Sequence, residues 1–170
     1  MWTGTFHALG ARLLRRHAPS LGWTNSFSIF DAEQSLRLIK KTVEAVGLDT
    51  RRWSPKAIRA HLSGAKNQLI TPQQFVEDNE GSFDIFAQNV ARVYPVYQES
   101  LKNQNALDFD DLLVLWLRLL EERPDVRKGF QEQFRHVLVD EYQDTNRLQS
   151  RLIDILAGGH GNLMVVGDDA

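Results

Sequence analysis

Two pairs of neighbouring acids stand directly after short apolar runs in this sequence: Asp140-Glu141 follows HVLV, and Asp168-Asp169 follows LMVVG. A carboxylate at the end of a buried strand is held by the sheet yet faces the crevice where open parallel sheets take their ligands. Such a group suits a hard cation with oxygen ligands, magnesium above all. Asp140 has the position to hold the ion through water. Glu141 beside it has the position to accept a proton from an attacking water, or to orient it. Acidic turn residues also end many strands without any chemistry, but the apolar positions before this pair and the Gln143 and Asp144 after it favour the functional reading.

The elements that would position these acids follow from periodicity. Val137 to Val139 and Leu163 to Val166 are continuous apolar runs, and Leu148, Leu152 and Ile155 between them mark a helix closed by Gly158-Gly159. Strand, helix, strand with wholly apolar strands predicts a parallel unit covered on both faces. Residues 137 to 140 and 163 to 167 are expected as adjacent or near-adjacent parallel strands. A third strand is predicted over residues 2 to 6 of MWTGTFH, turning at Thr5-Phe6-His7 into the helix ALGARLLRRH.

Between these lies a block whose pattern is helical, so residues 31 to 122 are expected to be almost wholly helix. Asp31 with Gln34 three residues on reads as a capping box for a helix whose face is Leu36, Ile39, Val43 and Val46, ended by Gly47. Pro55 suits the first turn of a helix through Ile58 and Leu62, and SGAKNQLITP reads as a connector. Apolar spacings from Phe83 to Leu101 predict a long helix interrupted or kinked at Pro95. Asp108 starts another, with Phe109, Leu112, Leu113, Trp116, Leu117 and Leu120 as its stripe. A helical block of roughly a hundred residues is too long for an ordinary crossover. The fold class is therefore α/β, mostly helical, with a large all-helical insertion in a parallel sheet.

Composition narrows the setting. Hydrophobic residues at 42% and charged residues at 25% are globular values. Twenty basic against twenty-two acidic residues leave a net charge of -2, so any nucleic-acid contact must come from local placement. With no cysteine, disulfides and thiolate metal sites are excluded. No apolar run is long enough to predict a membrane span, and a cytoplasmic setting fits best.

The stretches VDEYQDTN and VVGDD, with TFH at residues 5 to 7, SGAKN at 63 to 67 and DFDDLL at 108 to 113, together resemble the UvrD/Rep/PcrA group of superfamily 1 DNA helicases. The likeness runs through nearly the whole chain. It implies a P-loop ATPase sheet domain (1A-like) made in part by residues 1–20 and 105–170, with residues 21–104 as an inserted helical (1B-like) subdomain. It also implies ATP and Mg2+ as cofactors. Asp140 would coordinate the magnesium of Mg-ATP and Glu141 would position the hydrolytic water. Gln143 and Asp144 would support or couple the site, and Asp168 and Asp169 would open a motif that continues into a residue sensing the gamma-phosphate.

Thr5, Phe6 and His7 match the motif that contacts single-stranded DNA, with Thr5 and His7 suited to phosphates and Phe6 better suited to the core. Lys66, in the family-like GAKN stretch, ranks first among basic candidates for DNA. Arg12, Arg15, Arg16, Arg51, Arg52, Lys56 and Arg59 fit a solvated face equally well. Trp53 beside Arg52 has a place to stack on a base, whereas Trp116 belongs to the core. The implied activity is 3′-to-5′ translocation on single-stranded DNA and unwinding of junctions, in repair or replication. No G-x-x-x-x-G-K-[ST] loop is present, so the chain reads as an interior piece of such a helicase, inactive alone. Two other classes remain: a metal-dependent nuclease built on Asp140, Glu141 and Asp144, and a non-catalytic DNA-binding or partner-docking module.

Overall fold

The computed structural model describes residues 1–168, so Asp169, the second acid of the last pair, lies outside the described residues. Eight α-helices and four short strands are present among them. Helix α1 is Phe6–His17, strand β1 Ser28–Ile29, α2 Ala32–Ala45, α3 Pro55–Asn67, α4 Pro72–Asp78 and α5 Ile85–Asn103. After strand β2, Ala106–Leu107, come α6 Phe109–Glu122, α7 Pro124–Gln133, β3 Val137–Val139, α8 Arg147–Ala157 and β4 Leu163–Val165.

Helix starts follow side-chain chemistry. The Asp31–Gln34 capping box forms as predicted, and the same reciprocal pairing starts α4 (Thr71, Gln74), α6 (Asp108, Asp111) and α8 (Asn146, Gln149). Each box satisfies two backbone donors that a helix start would otherwise leave open.

Strands β3 and β4 pair in parallel, with Val137 opposite Leu163 and Val139 opposite Val165, and α8 makes the crossover. The ladder continues past the strands: Val166 donates to the Val139 carbonyl at 2.8 Å and Tyr142 to the Val166 carbonyl at 2.9 Å. A second parallel pair joins Ser28–Ile29 to Ala106–Leu107. This ladder draws together the chain entering the helical block and the chain leaving it.

Five expectations are corrected. Residues 2 to 6 form no strand: Thr5 Oγ1 accepts from the Ala8 amide at 3.3 Å, so Thr5 caps α1 and Phe6 is already helical. Trp2 instead packs edge-on against Phe134. The helical block is broken by β2, a two-residue strand set off from α5 by Asn105 at φ 47°. SGAKN is helical rather than a connector, because Leu62, Ala65 and Lys66 all turn into the interior and keep α3 wound through Gly64. Helix α5 runs on through Pro95 without a break. The strands are not covered on both faces: Val137 and Val139 turn toward the helices, but Leu138 is 73% and Met164 57% exposed. Pleating sends alternate side chains of β3 to opposite faces, whereas in β4 Leu163 and Val165 are exposed as well as Met164, so among the described residues that strand is open on both faces.

Three apolar clusters hold these elements. Ile39, Val43, Ile58, Leu62, Val90 and Tyr97 join α2, α3 and α5. Leu13, Trp116, Leu120, Phe130, Leu148 and Leu152 join α1, α6, α7 and α8. Leu14, Phe27, Leu107, Leu112 and Leu119 pack α1 and α6 onto the β1–β2 ladder. Helix α6 contributes opposite faces to the last two, and α1 lies close upon it at Gly10. A Cβ there would meet the Leu112 carbonyl at 3.2 Å and the Trp116 ring at 3.3 Å.

Candidate site at the strand ends and the α1–α6 corner

The acidic segment begins where β3 stops. Glu141 adopts φ 51°, a left-handed conformation that costs a non-glycine residue about 1–3 kcal/mol and persists only where the surroundings enforce it. The enforcing contacts are visible. Asp140 Oδ1 accepts from the Glu141 amide at 3.0 Å, and the Asp144 amide donates back to the Glu141 carbonyl at 3.0 Å, closing a 3₁₀ turn over Tyr142–Asp144. Gln143 reaches both strand ends. Its Nε2 donates to Glu141 Oε2 at 2.5 Å, and its Oε1 accepts from the Asp168 amide at 3.3 Å.

Asp140, Glu141, Gln143, Asp144 and Asp168 are all exposed. No lysine or arginine among the described residues forms an ion pair with Asp140 or Glu141. No three His, Asp or Glu side chains gather as a metal cage among the described residues. Two open carboxylates without a cage suit magnesium, which keeps several waters and is held by one or two carboxylates plus substrate phosphates.

The second corner lies where α1 meets the start of α6. Thr5 is exposed at the α1 N-cap, and His7 is half-buried with its ring 5.6 Å from that of Phe109. Burial pushes the His7 pKa below its ordinary value, with the Asp110 carboxylate partly opposing. Phe6 packs against the apolar cluster of α1 and α8. Phe109, expected inside with the rest of its stripe, is 50% exposed. Asp108 and Asp111 of the same turn point inward to Lys66, and this leaves Phe109 on the side of the turn that no neighbour covers. A groove of about 980 Å³ opens beside it, lined by Phe30, Asp31, Lys56, Arg59, Ser63 and Phe109 among others. Its charged lining sets the cations Lys56 and Arg59 of α3 against Asp31, Glu33, Asp108 and Asp110, so only the α3 side pairs an exposed aromatic with cations, the combination that single-stranded nucleic acid uses for stacking and phosphate pairing.

Lys66 is not part of that surface, and its assignment as a DNA contact is corrected. It is 3% exposed, with Nζ 2.7 Å from Asp108 Oδ2 and 2.7 Å from Asp111 Oδ1. Tyr97 donates to Asp108 at 3.0 Å and Gln98 to Asp111 at 2.8 Å. Burial opposes the lysine's charge, but the two carboxylates outweigh it and raise its pKa above the usual range. Burial also pushes the Asp108 carboxyl upward, yet Lys66 and three hydrogen bonds win and hold it low. Asp111 is pushed up to about 6 by burial and by its neighbour Asp108, against the pull of Lys66.

Other basic residues are similarly engaged. Arg15 donates to the carbonyls of Asn25, at 3.0 Å, and Phe27, and the Arg12 guanidinium lies 4.0 Å over the Trp2 ring. Trp53 packs into the first cluster near Phe86, at 6.0 Å between rings, so it is not a free stacking platform. Trp116 is in the core, as expected.

Known proteins resemble this chain throughout. The sequence profile of the UvrD/REP helicase N-terminal domain matches residues 1–170. "ATP-dependent DNA helicase PcrA" of Leuconostoc citreum is 39% identical over 168 residues, covering 99% of this chain and 22% of that protein. "ATP-dependent DNA helicase UvrD1" of Mycobacterium bovis is 42% identical over 176 residues, with 99% and 23% covered. "DNA helicase II" of Haemophilus influenzae is 36% identical over 169 residues, again with 99% and 23% covered. The chain belongs to the UvrD/REP helicase N-terminal domain family. It spans less than a quarter of the length of these curated relatives.

Proposed function

We propose that this chain is the acidic-strand and helical-insertion portion of the N-terminal motor of an ATP-dependent DNA helicase. The motor couples Mg-ATP hydrolysis to 3′-to-5′ movement on single-stranded DNA and to unwinding at junctions, in the cytoplasm, during repair or replication. The names of the relatives support ATP and DNA as its ligands. The observation that carries the catalytic reading is the pinned Asp140–Glu141 pair: two open carboxylates at the end of a parallel strand, one of them in a strained conformation fixed by Gln143.

Asp140, whose Oδ1 is taken by the Glu141 amide, would hold magnesium by its carboxylate. When bound, the metal supplies positive charge to the phosphate oxygens. Glu141 takes or orients the proton of the attacking water. Gln143 keeps Glu141 aimed and ties it to the Asp168 end of β4, while Asp144 supports the turn. Positioning is most of what phosphoryl transfer asks of a protein. Thr5 and His7 contact DNA phosphates, Phe109 stacks on a base, and Lys56 and Arg59 add charge. Residues 1–20 and 105–170 belong to the sheet domain and 21–104 to the insertion; the β1–β2 ladder, by pairing Ser28–Ile29 with Ala106–Leu107, supports an insertion that leaves and returns at one place.

Kinetics of the full-length protein that carries this chain test the reading. Glu141→Gln should keep ATP binding and lower hydrolysis about a hundredfold or more, since it removes the base and preserves the shape. An unimpaired rate would show that the acids after β3 are only a turn. The 170-residue chain alone, without a phosphate loop, should give no turnover above background.

A further inference from the structure

The DNA-facing corner and the acidic segment lie on different elements, and one side chain touches both neighbourhoods. Asn67, the last residue of α3, donates from Nδ2 to Asp110 Oδ1 at 3.1 Å and to the Ser63 carbonyl at 2.9 Å. Its Oδ1 accepts from Asn146 Nδ2 at 2.7 Å. Asp110 stands next to Phe109 and close enough to His7 to act on its charge. Asn146 ends the DEYQDTN stretch and caps α8. Among the described residues no other hydrogen bond joins α3 to the 140–146 segment.

The direction of both amides is fixed by the chemistry. Asn146 Oδ1 accepts from the Gln149 amide at 2.9 Å as the helix cap, so its NH2 must point away from the helix. Asn67 can meet that NH2 only with its oxygen, which turns its own NH2 toward two acceptors. Reversing either amide would set donor against donor. Only a side chain that donates and accepts at once can fill this position, and aspartate, leucine or alanine cannot.

The acidic segment is held at one end by the β3–β4 ladder and at the other by Asn146. The strained Glu141 lies between these two anchors, so a shift of either anchor reaches it. We propose that Asn67 is a positioning residue that links DNA occupancy of the His7–Phe109 corner to the setting of Glu141, acting through Asp110 on one side and Asn146 on the other. The proposal rests on the helicase reading above. DNA entering the corner displaces the first turn of α6, Asp110 shifts with it, and Asn67 passes the shift to the far clamp of the acidic segment.

The test is ATP turnover by the full-length protein, without DNA and with saturating oligo-dT, alongside oligo-dT affinity and thermal unfolding. Asn67→Ala removes both links. Asn67→Asp keeps the acceptor for Asn146 but sets a carboxylate against Asp110. In both, the stimulation by DNA should fall roughly tenfold, while DNA-free turnover, oligo-dT affinity and the unfolding midpoint stay near wild type. Adding Asp110→Ala to Asn67→Ala should cause no further loss. Retained stimulation, or equal falls in DNA-free and DNA-stimulated rates, would overturn the proposal. If Asn67→Ala does not fold, Asp110→Ala alone must lose the stimulation, and its retention there overturns the proposal equally. Wild-type turnover that DNA fails to raise would sink the helicase reading itself.

Discussion

Two pairs of aspartate and glutamate side chains at element ends behave as opposites here. Asp108 and Asp111 start α6 from the interior, capped onto each other and neutralised by Lys66. Asp140 and Glu141 follow β3 at the surface, with no ion-pair partner among the described residues and a strained backbone at Glu141. Both would look acidic and functional to a reader of the sequence. The difference is the counter-ion. A buried carboxylate pair must bring its own cation or lose its charge, and Lys66 is that cation. An exposed pair without one has its charge available for a ligand.

The largest expected effect breaks the buried side of this comparison. Lys66→Ala leaves two carboxylates in the interior around an empty site, and should destabilise the chain by about 3–5 kcal/mol. Glu141→Gly lies at the other pole. It removes the side chain and the left-handed strain together, and should raise stability by up to about 1 kcal/mol while abolishing turnover in the full-length protein. Urea unfolding of both variants measures the contrast. Equal destabilisation by the two would mean that the exposed acids are as structural as the buried ones.

A second test uses proton linkage. The folded-state pKa of Asp111 is pushed up to about 6, above the ordinary carboxylate range, by burial and by Asp108. The folded chain therefore takes up a proton before the unfolded chain does as pH falls. Its contribution to stability grows on acidification from about pH 7 to pH 4.5, by about 2 kcal/mol. Asp108 has the opposite sign: its lowered pKa gives stability at neutral pH that is lost only as pH falls below the usual carboxylate value. Stability of wild type relative to Asp111→Asn should thus be greater at pH 4.5 than at pH 7. A difference independent of pH would mean that Asp111 is fully ionised beside Lys66.

What was legible in the sequence divides along the same line. The β3–α8–β4 unit, the capping box at Asp31, the helix start at Asp108, and the helical character of the block follow from local pattern. Local pattern is enough because caps and short parallel crossovers are decided within a dozen residues. Lys66 was misjudged because its fate depends on α6, some forty residues away, and on α3 staying wound through Gly64. Phe109 was misjudged because periodicity gives the face of a helix but not where its cover begins. The strand predicted at residues 2 to 6 failed for want of a partner among the described residues, while β-rich composition over so few residues could not weigh that against the Thr5 cap. The link through Asn67 could not be read, since SGAKN and DEYQDTN stand out as separate stretches and nothing in their spacing joins the asparagines that end them.

The smallest effect concerns His7, the histidine at the α1–α6 corner proposed to meet DNA. Burial lowers its pKa, so the free ring is neutral at pH 7.5, and Asp110 only partly counters this. A phosphate beside the ring would favour the charged form, so binding DNA would draw a proton onto His7 and affinity would rise as pH falls through the ordinary histidine range. Oligo-dT affinity of the full-length protein should improve about threefold between pH 8 and pH 6, on top of a general salt dependence from Lys56 and Arg59. His7→Gln keeps a hydrogen-bonding side chain that does not titrate, and should remove this pH dependence while leaving the salt dependence in place. If the pH dependence survives in His7→Gln, the proton is taken up elsewhere and the exposed corner would hold DNA by Phe109 and the α3 cations without the histidine. His7 would then belong with Lys66, a polar residue whose environment has already assigned it to the fold.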